Sequence, residues 1–431
     1  IGTGYVGLVT GVGLSEFGNK VICADINNDK ILKLNAGHIP IYEPGLEEII
    51  KRNVKNNRLF FSSDISSSIK KSEVIIIAVG TPQSDSGDAD MQYVYSVVNA
   101  IKENLNSYKV ICTKSTVPIG TGEKIIEILK NNFKENSDFN YVSNPEFLRE
   151  GSAVKDFLWP DRIIIGTSSL SAYEIMCDVY RPLFINKSPI NHTSVETAEM
   201  IKYASNSFLA LKISYINEIA NLCELVGADV HDVASEMGKD GRISGKFLHP
   251  GPGFGGSCFP KDLESLSSIS DEHGVQMDTL TAAITANKKQ KKQMCNKLEK
   301  LVTTGIKDKV IAVLGLSFKA NTDDIRESSS IDMINFILSM GGNVRAYDPI
   351  ANDAMSQLFS NISYFKDVYE AIKKADALVI MTEWNEFRSL DLKKIRNIMN
   401  GNIVLDTRNI MNMKELASLN FVYDNVGRIK I

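Results

Sequence analysis

A cysteine between a glycine-rich loop and a helix start is well placed to act as a nucleophile. One stretch of this 431-residue chain has that form: Pro250-Gly251-Pro252-Gly253-Phe254-Gly255-Gly256-Ser257-Cys258-Phe259-Pro260-Lys261-Asp262. Four glycines in six positions let the backbone wrap a ligand at close range. Pro260 suits the first turn of a helix, which puts Cys258 at or just before its positive end. That location, with Lys261 nearby, raises the thiolate fraction. Asp262, four residues on, shares roughly one side with Cys258 if the helix begins there. An isolated buried cysteine is more commonly a small apolar residue, but the loop around this one favours the nucleophile.

A second constellation is Gly2-Thr3-Gly4-Tyr5-Val6-Gly7, a GxGxxG that opens a helix. Its glycines allow a tight turn and close backbone approach, and the helix N-terminus offers N–H groups and positive dipole to a pyrophosphate. A strand, Val21 to Ala24, follows and ends in Asp25, 18 residues after Gly7. An acid there accepts the adenosine ribose hydroxyls and repels a 2′-phosphate, and no arginine follows closely, so NAD is expected over NADP.

Lys202 and Asn206, at i and i+4, interrupt an otherwise apolar helical pattern. They form either a solvated stripe or part of a site; a buried lysine must be paired, which favours the site. Asn144-Pro145-Glu146-Phe147-Leu148-Arg149-Glu150-Gly151 follows a strand at Tyr141 to Ser143. Glu146 and Glu150, four apart, suit a general base and a hydrogen-bond acceptor, or else a plain helix N-terminal charge pair. Gly80-Thr81-Pro82 and Ser115-Thr116-Val117-Pro118 also end strands, and strand carboxyl ends face the ligand crevice of a parallel sheet.

The elements that must position these groups are legible as well. Gly18 to Asp25 and Gly342 to Pro349 read alike, as a turn, a buried strand and a terminal acid. Ile69 to Glu73 leading into Val74–Val79 is echoed by Ile372 to Asp376 leading into Ala377–Met381, and Gly315 stands where a glycine turn belongs in the second copy. Continuous apolar strands alternating with helices imply α/β architecture: two Rossmann-like, doubly wound parallel-sheet domains. Between them, residues 195–226 lack Gly and Pro and are apolar on most faces, with Thr193 and Glu196 as a capping box and Gly227 as a stop. The predicted division is 1–190 and 301–431 for the α/β domains, joined by a helical middle domain, 191–300, with a long central helix. That helix is expected to form a homodimer interface. Lys288 to Lys300, rich in Lys and Gln, reads as a solvated helix face.

Composition narrows the classes. Net charge is 48 − 52 = −4, against a broad nucleic-acid-binding surface. The five histidines have no metal-ligand spacing and the six cysteines no CxxC pair, so no metal is expected. No apolar run approaches the ~18 residues of a membrane span, and scattered cysteines without a secretory signal fit a reducing cytoplasm. A few residues are expected to precede Ile1, since the glycine turn lacks most of its leading strand.

Taken in order, these blocks resemble the UDP-glucose/GDP-mannose dehydrogenase family over essentially the whole chain, with Phe318-Lys319 and Arg326-Glu327-Ser328 as a further anchor. The resemblance implies oxidation of a sugar CH₂OH to a carboxylate with two NAD. Cys258 is similar to the family's nucleophile, which captures the aldehyde as a thiohemiacetal that becomes a thioester. Asp262, Thr116 and Glu146 would manage protons and water, while Lys202 and Asn206 would stabilise charge on the C6 oxygen. Phe147, Leu148, Phe247, Gly255 and Lys319 match positions that hold the nucleotide sugar, and Arg242 one that often reaches the partner subunit's site. Lys30, Thr81, Glu150, Lys261 and Arg326 match positions near NAD, beside Gly2, Gly4, Tyr5, Val6, Gly7 and Asp25. Gly253 to Asp262, Phe247-Leu248 and Thr382-Glu383-Trp384 look like the UDP-glucose branch, with GDP-mannose and UDP-N-acetylhexosamines as alternatives. A single-step β-hydroxyacid dehydrogenase would leave Cys258 and the last domain without a role.

Overall fold

Short apolar strands, most of them buried on both faces, frame the protein. A computed structural model describes residues 1–84, 89–185 and 187–428. They form two compact units: Ile1–Ser205 with Glu264–Gly274, and Asn206–Leu263 with Val275 onward.

In the first unit, β1 (Val21–Ala24) and β2 (Leu59–Ser62) pair in parallel. Five further strands lie in chain order: β3 (Val74–Ile77), β4 (Lys109–Thr113), β5 (Phe139–Ser143), β6 (Ile163–Gly166) and β7 (Ile190–Thr193). Their pairings are parallel except that β6 returns antiparallel beside β5. Ile1 and Gly2 bridge the two sheets: Gly2 N–H donates to Ala24 O, and Ala78 N–H to Ile1 O, both at 2.8 Å. Apolar clusters centred on Leu8, Val12 and Val142 and on Ile77, Val98 and Ile125 cover the strands.

The second unit has the more regular sheet. Its strands are β8 (Val310–Leu314), β9 (Asn343–Tyr347), β10 (Ser363–Tyr364), β11 (Ala377–Ile380), β12 (Ile403–Asp406) and β13 (Val422–Asp424). They lie in the order β10-β9-β8-β11-β12-β13, all parallel. The order reverses between β8 and β11, and a crevice opens at the carboxyl ends of strands at such a point. Gly315, just after β8, has φ +88°, and a Cβ there would lie 2.4 Å from the Thr382 side chain.

The long helix runs Val195–Val226 and stops at Gly227, whose φ is +76°. Its cap is Ser194, one residue later than the sequence suggested. Ser194 Oγ accepts from Thr197 N–H at 3.2 Å, while Thr193 is held in β7, where its carbonyl accepts from Thr167 N–H. Ile216 and Ala220 of this helix share one core with Met294 and Leu298 of the helix Asp278–Leu301 and with Val313 and Ile334. Another of its faces stays open: Phe208 is 62% and Leu222 53% exposed.

The Lys- and Gln-rich stretch is only half solvated. Lys288, Lys289 and Lys292 are exposed, but Gln290 and Lys297 are buried. Lys297 Nζ lies 2.5 Å from Glu224 Oε1 and 3.4 Å from Asp424 Oδ1, a pairing between distant segments that composition alone does not reveal.

Candidate active site

The glycine turn of the first unit is built for close approach. Gly2 has φ +96° and its Cβ would strike Ala78 O at 2.6 Å; a Cβ on Gly7 would strike Gly2 O at 1.9 Å. Gly4 faces open space, with nothing within 4 Å of its would-be Cβ. Tyr5 and Val6 begin the helix Tyr5–Glu16, and Tyr5 Oη binds Glu43 and accepts from Gly151 N–H. Asp25 Oδ2 accepts from Thr3 N–H (2.8 Å) and Thr3 Oγ1 (2.7 Å), and Lys30 Nζ is 3.7 Å away. Burial would push the Asp25 carboxyl up, but those bonds, Asn27 N–H and Lys30 together hold it below the usual carboxylate range. The turn therefore arrives with its acid ionised and oriented.

At the carboxyl ends of β4 and β5, a buried charge cluster replaces the solvated stripe that was the alternative for Lys202. Lys202 is 3% exposed, and its Nζ lies 2.9 Å from Glu146 Oε1, while Glu146 Oε2 accepts from Leu148 N–H. Removing either partner would leave an uncompensated buried charge, which typically costs ~3–5 kcal/mol. One turn before Lys202, Glu199 accepts from Gly120 N–H (2.7 Å) and Gly122 N–H (2.9 Å), fixing the helix on the start of Thr121–Lys130. Burial pushes that carboxyl up to about 7. Thr81 Oγ1 donates to Thr116 O at 2.9 Å, so two strand-end loops are joined; Glu150 is half-buried nearby in sequence.

Sequence reasoning missed Lys114, a buried lysine beside this pair. Its Nζ reaches Asn144 Oδ1 at 3.1 Å and Tyr180 Oη at 3.2 Å. Burial pushes the ammonium down to about 8; Cys112 and Glu146 oppose that, and Lys202 adds to it. Its signal was available: a lysine directly after an all-buried strand must have internal partners.

In the second unit the helix begins at Phe259, placing Cys258 at its cap, where Asp262 N–H donates to Cys258 O at 2.9 Å. Asp262 is 2% exposed and held from two sides, by Asn206 Nδ2 on Oδ2 at 2.6 Å and Lys261 Nζ 2.9 Å from Oδ1. Three amides clamp the loop backbone. Asn217 Oδ1 accepts from Gly251 N–H, Gln290 Nε2 donates to Gly251 O, and Asn287 makes both bonds to Phe254. None was read from the sequence, because Asn287 and Gln290 lie in or beside the stretch that looked solvated. Gly255 is required by packing: its Cβ would meet Glu327 O at 2.2 Å.

The remaining residues of this unit gather unevenly. Phe247, at φ +65°, packs its ring 6.1 Å from that of Phe259. Arg326 gives its carbonyl to Gly256 N–H, but its side chain pairs with Asp324. Lys319 Nζ stands over Phe318, whose ring adjoins Gly256. Arg242 is 89% exposed in its side chain and pairs with Asp240. Arg408, also missed, donates to Met381 O and Phe318 O at the open end of β11.

Asp348 explains why the second glycine turn differs from the first. Its Oδ2 accepts from Leu316 N–H, Ser317 N–H and Trp384 Nε1, and it is 1% exposed. The acid that would meet a ribose is spent inside the protein.

A dinucleotide-type glycine turn in one unit, a second turn closed by Asp348 in the other and a cysteine at a helix start fit a dehydrogenase that takes a dinucleotide and one further substrate. The chain belongs to the UDP-glucose/GDP-mannose dehydrogenase family: its NAD binding domain matches residues 1–184, its central domain 196–289 and its UDP binding domain 312–413. It is 46% identical to UDP-glucose 6-dehydrogenase of Rhizobium meliloti over 431 residues, covering 99% of this chain and 98% of that one. It is also 46% identical to UDP-glucose 6-dehydrogenase TuaD of Bacillus subtilis, covering 99% and 92%. A UDP-glucose dehydrogenase from Pyrobaculum islandicum superposes with a TM-score of 0.91 at 34% identity, covering 99% and 96%. The protein is accordingly an NAD-dependent oxidoreductase, and the open face of Gly4 with the oriented Asp25 fits that cofactor. Asp25→Ala is expected to narrow the preference for NAD over NADP by about 10–100-fold in kcat/KM, the worth of hydrogen bonds to a charged group. A wild type that favours NADP would contradict this role.

Proposed function

We propose that the protein oxidises UDP-glucose to UDP-glucuronate in two NAD-dependent steps through a covalent intermediate on Cys258. The observation that carries the reading is the arrangement at the helix start, where Cys258 caps the helix and a buried, doubly held Asp262 follows one turn later. The division of labour is 1–190 for NAD, 191–300 for the helical centre and 301–431 for the nucleotide sugar; the three family matches support it. Residues 429–431 lie outside the described structure.

NAD, when bound, supplies the hydride acceptor for both oxidations. Lys202 and Asn206 present N–H donors to the oxygen on C6, where negative charge grows as the alcohol loses its proton. The Cys258 thiolate adds to the aldehyde carbon, forming a C–S bond and a thiohemiacetal whose carbon still carries one hydride. Loss of that hydride leaves a thioester. Asp262, with Thr116 and Glu146, takes a proton from the attacking water; the C–S bond breaks, releasing the carboxylate and restoring the thiol. Phe147, Leu148, Phe247, Gly255 and Lys319 hold the sugar nucleotide, Arg242 serves the site of a second subunit, and Tyr5, Val6, Lys30, Thr81, Glu150, Lys261 and Arg326 line the cofactor side.

Initial rates with UDP-glucose, GDP-mannose and UDP-N-acetylhexosamines at equal concentration test the substrate. UDP-glucose is expected to give the highest kcat/KM; a higher value with another sugar would reassign it. The exposed apolar face of Val195–Val226, with Phe208, Tyr215, Leu222 and Leu225 open, supports a homodimer. Light scattering at micromolar concentration is expected to give twice the chain mass, and a stable monomer would refute it. Among the described residues no helix is long and apolar enough to cross a membrane.

A further inference from the structure

Arg162 differs from two paired arginines of the same unit. Arg52 meets Glu16 and Arg149 meets Asp156, each within 2.7 Å. Arg162 makes no hydrogen bond or ion pair with any described residue, although its side chain is partly buried. Instead its Cζ lies 3.8 Å from the centre of the Phe147 ring. The fold puts it there. β6 pairs antiparallel with β5 through Ser143 and Gly166, and Asn144 Nδ2 continues the alignment by donating to Ile164 O. Running β6 backward therefore brings its first residues level with Glu146 and Phe147. Lys202 Nζ, paired with Glu146, is 5.4 Å from the same ring.

A half-buried guanidinium without acceptors is unfavourable unless something anionic completes it. Burial lowers its basicity, opposed by the exposed neighbour Asp161. Contact with the Phe147 ring restricts the orientation of the group while its N–H edges remain to make paired bonds, the geometry that matches carboxylate and phosphate oxygens. We propose that Arg162 is a substrate-binding residue whose fork takes two anionic oxygens of the nucleotide sugar, from its diphosphate or from the new C6 carboxylate. This rests on the reading of the protein as a UDP-glucose dehydrogenase.

The test is steady-state kinetics of Arg162→Gln and Arg162→Lys, with inhibition by UDP and by UDP-glucuronate and a melting curve for each variant. A charged hydrogen-bonded pair predicts a weakening of about 10–100-fold in Arg162→Gln, partly restored in Arg162→Lys. If the diphosphate is the ligand, KM for UDP-glucose and both inhibition constants rise together. If the carboxylate is the ligand, the constant for UDP-glucuronate rises while KM for UDP-glucose and the constant for UDP hold. Unchanged constants in both variants, or a change confined to KM for NAD, would overturn the assignment of Arg162. Arg162→Lys carries the test if Arg162→Gln does not fold. A wild type inert toward UDP-glucose would refute the underlying reading, and the role of Arg162 with it.

Discussion

Cys258→Ser is expected to lower production of UDP-glucuronate by on the order of 10³-fold or more, the scale seen when a covalent nucleophile is removed. The variant replaces one atom at the cap of the Phe259–Glu272 helix and leaves the clamps on Gly251 and Phe254 intact, so the fold and melting temperature should hold. A serine hydroxyl is a far weaker nucleophile near neutral pH, because almost none of it is ionised. The aldehyde is then not captured, and the second hydride has no tetrahedral carbon to leave. NAD binding should change little, since the substitution leaves the glycine turn and the bonds that orient Asp25 untouched. Titration of NAD against the variant, followed by fluorescence, checks this. Normal turnover in the serine variant would exclude the covalent route.

Asp262→Asn is expected to act later in the sequence. It removes a negative charge that Lys261 and Asn206 hold in place, and with it a group that can accept a proton from water. General-base losses of this kind are worth about 10²–10⁴ in rate. Hydrolysis should become limiting, so a thioester accumulates on Cys258 and appears in the intact mass of protein quenched after mixing with UDP-glucose and NAD. Lys261 then loses its carboxylate partner, which lowers stability as well; circular dichroism of the variant separates the two effects. A slow variant with no adduct, on a protein that remains folded, would place Asp262 outside the hydrolytic step.

How much of this was legible in the sequence follows from what each residue must do locally. Gly2 and Gly7 announce themselves because only glycine survives where the backbone packs on Ala78 and on itself, while Gly4 leaves open the face a ligand would approach. The cap at Cys258 and the length of Val195–Val226 were readable because proline position and the absence of breakers are local properties. The pairing of Lys202 with Glu146 was half readable: burial of the lysine followed from its apolar neighbours, but its partner is 56 residues away. Asn217, Asn287 and Gln290 were not readable at all, since an amide on a helix declares no partner until the loop is folded against it. Asp348 shows the limit most clearly. It ends a strand just as Asp25 does, and only its bonds to the Leu316 and Ser317 amides and the Trp384 indole reveal that it serves the core.

The central claim is that one sugar loses four electrons on this protein before it leaves. Wild-type protein with limiting UDP-glucose and excess NAD, followed at 340 nm to completion, measures that directly. Two NADH per UDP-glucose consumed, with UDP-glucuronate as the sole sugar product, is the expected result. One NADH per sugar, with an aldehyde released, would contradict the account and leave Cys258 without its part in the chemistry.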